Sequence, residues 1–181
     1  TARQITMLDV QRLGLFQVTA GRYARRLVFP VWEERRLVYW QARAMYEAHE
    51  CSGRYVKCLN PPAASGGGSS EVVFNLEAAV QTPRVCLVEG PMDALRVGSD
   101  GVACFGKKVH PAQVQKLLAR GVRAVDLMFD GPSAREPDGA RREMVELGGW
   151  LTSFFDDVRL VFLPSGDPAD HTREELARLR F

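Results

Sequence analysis

Cysteine and lysine are both scarce in this chain of 181 residues, and long apolar runs are missing altogether. The four cysteines, Cys51, Cys58, Cys86 and Cys104, match no common zinc-ligand spacing and are too few for a disulfide scaffold of this length. Cys86 and Cys104 lie inside apolar segments, Arg-Val-Cys-Leu-Val and Val-Ala-Cys-Phe, and are expected to be buried free thiols. No segment reaches the roughly 18–20 consecutive apolar residues that a membrane-spanning helix needs. A cleavable secretion signal is also lacking, so a reducing, cytoplasmic setting is expected. With 46% hydrophobic and 25% charged residues, the composition excludes a fibre or a disordered tail and allows one or two domains.

Strong net charge is absent too: the total is +2, which taken alone argues against a nucleic-acid partner. The average conceals a division. Residues 1–62 carry ten Arg or Lys against five Asp or Glu, whereas residues 63–181 carry fourteen against seventeen. A basic front joined to an acidic back implies two regions with different tasks. Of the cations, twenty are arginines and four are lysines. A GC-rich coding sequence produces that bias by itself, so Lys57, Lys107 and Lys108 stand out against it.

The front, residues 1–70, is expected to form a small basic α+β subdomain. After a helix and turn reaching about Arg22, the segments Leu27–Trp32 and Arg36–Arg43 are rich in β-branched and aromatic residues and flank Glu33-Glu34-Arg35. They predict an antiparallel hairpin, with Pro30 marking an edge position or a bulge. A third short strand is expected over Arg54–Lys57. Residues 60–70, Asn-Pro-Pro-Ala-Ala-Ser-Gly-Gly-Gly-Ser-Ser, break regular structure as a linker or a loop within one functional unit.

In residues 71–181 the period changes. Strands at 84–88, 102–105, 122–129 and 158–163 alternate with helices at 91–97, 111–120, 137–155 and 173–180. The alternation predicts βαβ units and a parallel sheet flanked by helices, and the near-continuous apolar strands fit a sheet covered on both faces. Ligands of such sheets bind beyond the carboxyl ends of the strands. Acids stand at three of those ends: Glu89 after the first strand, Asp130 after the third, and Asp167 and Asp170 after the fourth. Converging carboxylates repel one another unless a cation neutralises them, and hard divalent ions prefer oxygen ligands. The pattern therefore points to a Mg²⁺ or Mn²⁺ site suited to phosphate chemistry. Helix capping is the bland alternative for any one of these acids.

The block Val-Glu89-Gly-Pro-Met-Asp-Ala-Leu resembles the glutamate motif of the Toprim domain. Phe-Asp130-Gly131 stands where that family places its aspartate motif, and Asp167-Pro-Ala-Asp170 resembles the third acidic motif of its primase members. Two departures are visible. Pro132 occupies the position of the second acid in the usual Asp-x-Asp, with Asp138 the next acid available, and Ala169 stands where the last motif expects its second acid. Ahead of these motifs, Arg26–Glu33 with Leu37–Arg43 resembles the strand pair that precedes Toprim in bacterial and phage primases. Tyr55-Val-Lys57-Cys-Leu-Asn60 resembles their Lys-Tyr-Leu-Asn segment, with the Lys and Tyr in altered positions. Nucleases and topoisomerases of the superfamily do not normally carry that prelude.

The resemblance to Toprim-containing bacterial and phage primases implies a metal-dependent RNA polymerase domain that makes short primers on single-stranded DNA from ribonucleoside triphosphates. It implies Glu89, Asp130 and Asp167 as the catalytic acids, with Asp138 and Asp170 as further ligands of two or three Mg²⁺ or Mn²⁺ ions. Arg43, Lys57, Asn60 and, more weakly, Arg26 are the implied contacts to template or triphosphate. Apart from the resemblance, Lys107 and Lys108 follow the second strand at the same sheet edge as the acids, so one or the other is expected to contact nucleic acid or triphosphate, with an ordinary surface lysine as the alternative. A replicative helicase and a zinc-binding module are the implied partners outside this chain. Two readings compete with primer synthesis: a Toprim nuclease using the same metal site, and a weakened Toprim module that binds nucleic acid without catalysis.

Overall fold

A computed structural model describes residues 5–50, 53–62, 68–79, 82–132 and 139–181. The chain divides into two compact units, Ile5–Gly68 and Ser69–Phe181. The first opens with helix α1 (Met7–Leu13), followed by strands β1 (Phe16–Val18), β2 (Arg26–Glu33), β3 (Arg36–Ala44) and β4 (Cys58–Leu59). They form one antiparallel sheet in the order β1-β2-β3-β4. The expected hairpin is β2 and β3. Its two-residue turn, Glu34-Arg35, has positive φ at both positions, as the right-handed twist of a tight hairpin requires. Pro30 is tolerated because β1 pairs only as far as Val28, and a register shift between Val31 and Trp32 follows. The third strand lies at Cys58–Leu59, later than the expected 54–57, and β1 is an added edge strand too short to show an alternation.

The second unit holds helix α2 (Leu76–Ala79) and strands β5 (Arg84–Val88), β6 (Gly101–Ala103), β7 (Ala124–Leu127) and β8 (Asp157–Leu160). Helices α3 (Pro91–Val97), α4 (Pro111–Ala119) and α5 (Gly139–Leu151) connect them, and α6 (Arg173–Arg180) closes the chain. All four strands are parallel, in the order β6-β5-β7-β8. Val85, Leu87, Val102, Val125 and Leu127 are fully buried, as a sheet covered on both faces demands. Cys86 and Cys104 are buried free thiols, and burial pushes both up to about 12. Among the described residues, no helix is long and apolar enough to cross a membrane.

An ionic cluster fastens the last helix to Asp126 within β7 and to residues at the amino ends of β5, β6 and β8, away from the acid-bearing edge. Asp126 in β7 is 1% exposed. It accepts from Arg84 Nη1 at 2.6 Å and from Arg180 Nε at 2.9 Å. Arg180 also reaches Asp100 at 2.5 Å, and Arg84 pairs with Asp157. A buried carboxylate serving two guanidiniums is costly to break from one side, because each cation then loses one of its two counter-charges in a place largely closed to water. Asp126→Asn is therefore expected to lower the unfolding free energy by about 3 kcal/mol. Denaturant titration checks this, and a change below about 1 kcal/mol contradicts it.

Candidate active site

The strand order lays the functional side chains in a row along one sheet edge. From β6 to β8 the residues just past the strands are Lys107, Glu89, Asp130 and the pair Asp167 and Asp170. With Glu143 from α5, these side chains line a cavity of about 430 Å³. A smaller cavity of about 230 Å³ shares the Asp130–Pro132 wall and is otherwise mainly apolar, with Met144, Phe162 and Leu163. Arg141 lies 4.4 Å above the Phe162 ring in that second chamber.

Local backbone geometry holds the loops together. Gly131 N donates to Gly166 O at 2.8 Å, so the loops after β7 and β8 are stitched side by side. A Cβ at Gly131 would lie 3.1 Å from the Leu163 carbonyl and the Ser165 backbone, and one at Gly166 would lie 2.9 Å from Asp170 Oδ2. Gly166 also has φ +69°, a conformation that L side chains rarely adopt. The Asp167-Pro-Ala-Asp170 segment is a single 3₁₀ turn, in which Asp170 Oδ2 accepts from Asp167 N at 3.2 Å. Between the first and last motifs stands Asp93, at the first turn of α3 and 7% exposed. Its two oxygens accept from Gly90 N at 3.0 Å and from Ala169 N at 3.3 Å, joining segments 76 residues apart.

The electrostatics follow from the crowding. Burial first, and then the charge of Asp130, pushes Glu89 up to about 7, while the Asp130 N–H and the charge of Lys107 act in the opposite sense. The Glu89 carboxylate accepts from Asp130 N at 3.3 Å. Burial, followed by Asp167 and Asp130, likewise pushes Asp93 up to about 7. All the acidic donors are oxygens, which suits a hard divalent cation over zinc or copper. Among the described residues, no three His, Cys, Asp or Glu side chains are grouped closely enough to hold an ion by themselves. The set fits an ion that takes one or two carboxylates and completes its sphere with water and phosphate oxygens, as Mg²⁺ does.

The structure gathers Glu89, Asp130, Asp167, Asp170 and Lys107 around one cleft, while Lys108 is exposed outside its wall. Pro132 lines the cleft in person, and Asp138 lies outside the described residues. Arg43, Lys57 and Asn60 belong to the first unit. There Arg43 is half-buried opposite Cys58, Lys57 is exposed, and Asn60 is exposed with Oδ1 accepting from Gln41 Nε2 at 3.4 Å. Arg26 departs from its expected role as a phosphate contact. It is 4% exposed and donates to the carbonyls of Ala42, Val56 and Lys57 and to the Tyr46 hydroxyl. Those internal acceptors consume its donors, so it builds the subdomain instead of facing a ligand. Asp93 and Glu143 were not among the expected site residues. Glu143 carries no signal in the sequence, because an acid on an exposed helix face reads as a solvated charge.

The second unit has a Toprim-type fold, a parallel sheet flanked by helices with acids at its carboxyl edge, and the unit before it in the chain is a small antiparallel sheet. No protein-family model and no curated protein matches the sequence. Solved structures do match. The zinc-binding and RNA polymerase domains of the Aquifex aeolicus primase align with a TM-score of 0.68 and 28% identity, over 94% of this chain and 44% of that one. The RNA polymerase domain of Mycobacterium tuberculosis primase, solved in complex with double-stranded DNA, gives 0.65 and 20% over 97% and 60%. The primase fragment of the bacteriophage T7 primase-helicase gives 0.63 and 18% over 99% and 70%. The fold is that of bacterial and phage primase catalytic domains, and the likeness runs through both units. This chain spans about half the length of the bacterial structures it matches.

An acid whose value is raised in the folded state binds more protons there than when unfolded. Glu89 and Asp93 therefore add stability below about pH 4, and that stability is lost as pH rises through about 7. In chelator, the melting temperature is expected to fall between pH 5 and pH 8, less steeply in Glu89→Gln. Mn²⁺ should restore it at pH 8 and do little at pH 5. Equal pH profiles for wild type and Glu89→Gln, by differential scanning fluorimetry, would refute the assignment of that charge cost to Glu89.

Proposed function

We propose that the chain is the catalytic core of a DNA primase, joining ribonucleotides on a single-stranded DNA template. The observation that carries this reading is the row Lys107, Glu89, Asp130 and Asp167–Asp170 along one sheet edge, in a chain sharing the primase fold over 94% of its length. The 3′-hydroxyl oxygen of the growing primer forms a bond to the α-phosphorus of the incoming triphosphate. The bond from that phosphorus to the bridging oxygen breaks, pyrophosphate leaves with the electron pair, and the hydroxyl proton passes to water. Bound Mg²⁺ or Mn²⁺ supplies the positive charge that draws the phosphates into an acidic cleft and stabilises the charge developing there.

Glu89, Asp130 and Asp167 are the residues assigned to hold that charge, with Asp170 closing the turn that presents Asp167. Asp93 is a positioning residue that ties the first and last motifs together. Arg43, Lys57 and Asn60 supply polar and cationic contacts for template or triphosphate from the basic unit. A zinc-binding module and a replicative helicase are the partners assigned outside this chain, and the role places the protein in a bacterial or phage-infected cytoplasm. Pro132 favours a second reading, a weakened module that binds nucleic acid without synthesis, because it removes one oxygen ligand from the cleft wall.

Incorporation of labelled ribonucleotides on single-stranded DNA, with Mn²⁺ and a zinc-binding module supplied in trans, separates the readings. Synthesis is expected, and Glu89→Gln should reduce it at least about a hundredfold, the order seen when an electrostatic stabiliser is removed. Full activity in Glu89→Gln would sink the assignment of the metal site. DNA cleavage in place of synthesis would make the protein a nuclease, and binding alone would make it the weakened module.

A further inference from the structure

Among the described residues that line the main cleft, Lys107 is the single cation facing five carboxylates. Its placement is built. Cys104 Sγ donates to Gly106 O at 3.0 Å, and Gly106 N donates to the Glu89 carbonyl at 3.1 Å, which folds the loop after β6 back onto the glutamate motif. Phe105 takes φ +64° to make that bend and rests edge-on against Phe74 at 6.4 Å. A left-handed conformation at a bulky residue costs energy and persists only where the surroundings impose it. Here the strained residue is two positions before the lysine that enters the cleft. The charge of Lys107 reaches Glu89, the acid next to it in the row.

We infer that Lys107 is the triphosphate-binding cation of this cleft, contacting the β- and γ-phosphates that depart as pyrophosphate. The inference rests on the nucleotidyl-transfer reading and names the substrate group held at its β6 end. A triphosphate approaching five carboxylates is repelled unless fixed positive charge meets it, and Pro132 leaves one fewer oxygen to recruit that charge as bound ions. A lysine ammonium, compact and carrying three donors, suits the non-planar oxygens of terminal phosphates. A purely structural lysine would instead serve to hold the acids together.

The two roles predict opposite effects on metal binding. With the full chain, binding of pyrophosphate and of an α,β-methylene ribonucleoside triphosphate is measured by calorimetry in Mn²⁺, and Mn²⁺ alone by electron paramagnetic resonance. Lys107→Gln should weaken both phosphate ligands by roughly tenfold or more. It should leave Mn²⁺ affinity equal or tighter, because a neighbouring cation is gone. Lys107→Arg should recover much of the phosphate binding. Arg178→Gln, which removes the same charge from the exposed face of α6, should change neither. Phosphate binding within twofold of wild type in Lys107→Gln, or a parallel loss of Mn²⁺ affinity, would overturn the inference. No turnover is needed, so Lys107-dependent phosphate binding without primer synthesis would sink the polymerase reading and leave this one standing. A wild type that binds neither phosphate ligand would sink both.

Discussion

Two backbone hydrogen bonds to one buried carboxylate hold the cleft in its shape. Asp93 accepts from Gly90 N and Ala169 N, and so fixes the spacing between the glutamate motif and the last acidic turn. Neither oxygen can be replaced by a neutral donor without leaving a main-chain N–H unmatched in a buried place. The same carboxylate sits among Asp130 and Asp167 and raises the local charge density that the site must bear. The fold thus uses an acid as structural cement where acids already repel. That choice makes sense where a cation and a phosphate are to share the cleft, since the excess charge is then part of what attracts the ion.

The opposite end of the sheet supplies the compensation. Asp126, Arg84 and Arg180 form a cluster in which opposite charges meet at 2.6 and 2.9 Å, and the apolar residues of β5, β6 and β7 between the two ends are buried. One edge is held under like-charge tension, while the other is clamped by opposite charges and anchors α6 to β7. A parallel sheet suits this division, because all its strand ends of one kind fall on one side. The stitched glycines matter for the same reason. Gly131 and Gly166 let two acid-bearing loops approach to backbone contact, which side chains at those positions would prevent.

What the sequence discloses follows from how local each signal is. Glu89, Asp130 and Asp167 are legible because each follows an apolar strand and sits beside Gly or Pro, which mark the turn, and Asp170 because it closes the short turn that Asp167 opens. The strand–helix alternation of the second unit is legible for the same reason. Glu143 is not, because an acid on an exposed helix face looks like any solvated charge until the sheet order brings that helix beside the cleft. The partners of Arg180 are equally hidden, since Asp126 and Asp100 are 54 and 80 residues away. Arg26 misleads for a different reason. At the start of β2 it shares a face with Val28 and Pro30, so the two-residue period already put it on the buried side, and only its charge suggested solvent.

Arg26 also shows why counted charge and available charge differ. The front of the chain carries ten cations against five acids, but their surroundings are unequal. Arg26 is buried on internal acceptors. Arg25 is paired with Glu50 at 2.8 Å and lies 4.8 Å over the Tyr46 ring, while Arg22 lies 5.8 Å over Tyr23. The field offered to a polyanion is therefore narrower than the composition implies, and it falls to the exposed cations such as Arg35, Arg36, Arg54 and Lys57. In the acidic half the argument runs in reverse. One lysine in the right place outweighs the sign of the whole domain, because a phosphate senses the charge within a Debye length of its own oxygens and little beyond it. Net charge, whether +2 for the chain or its regional values, then says less about the ligand than the order in which four strands bring their ends together.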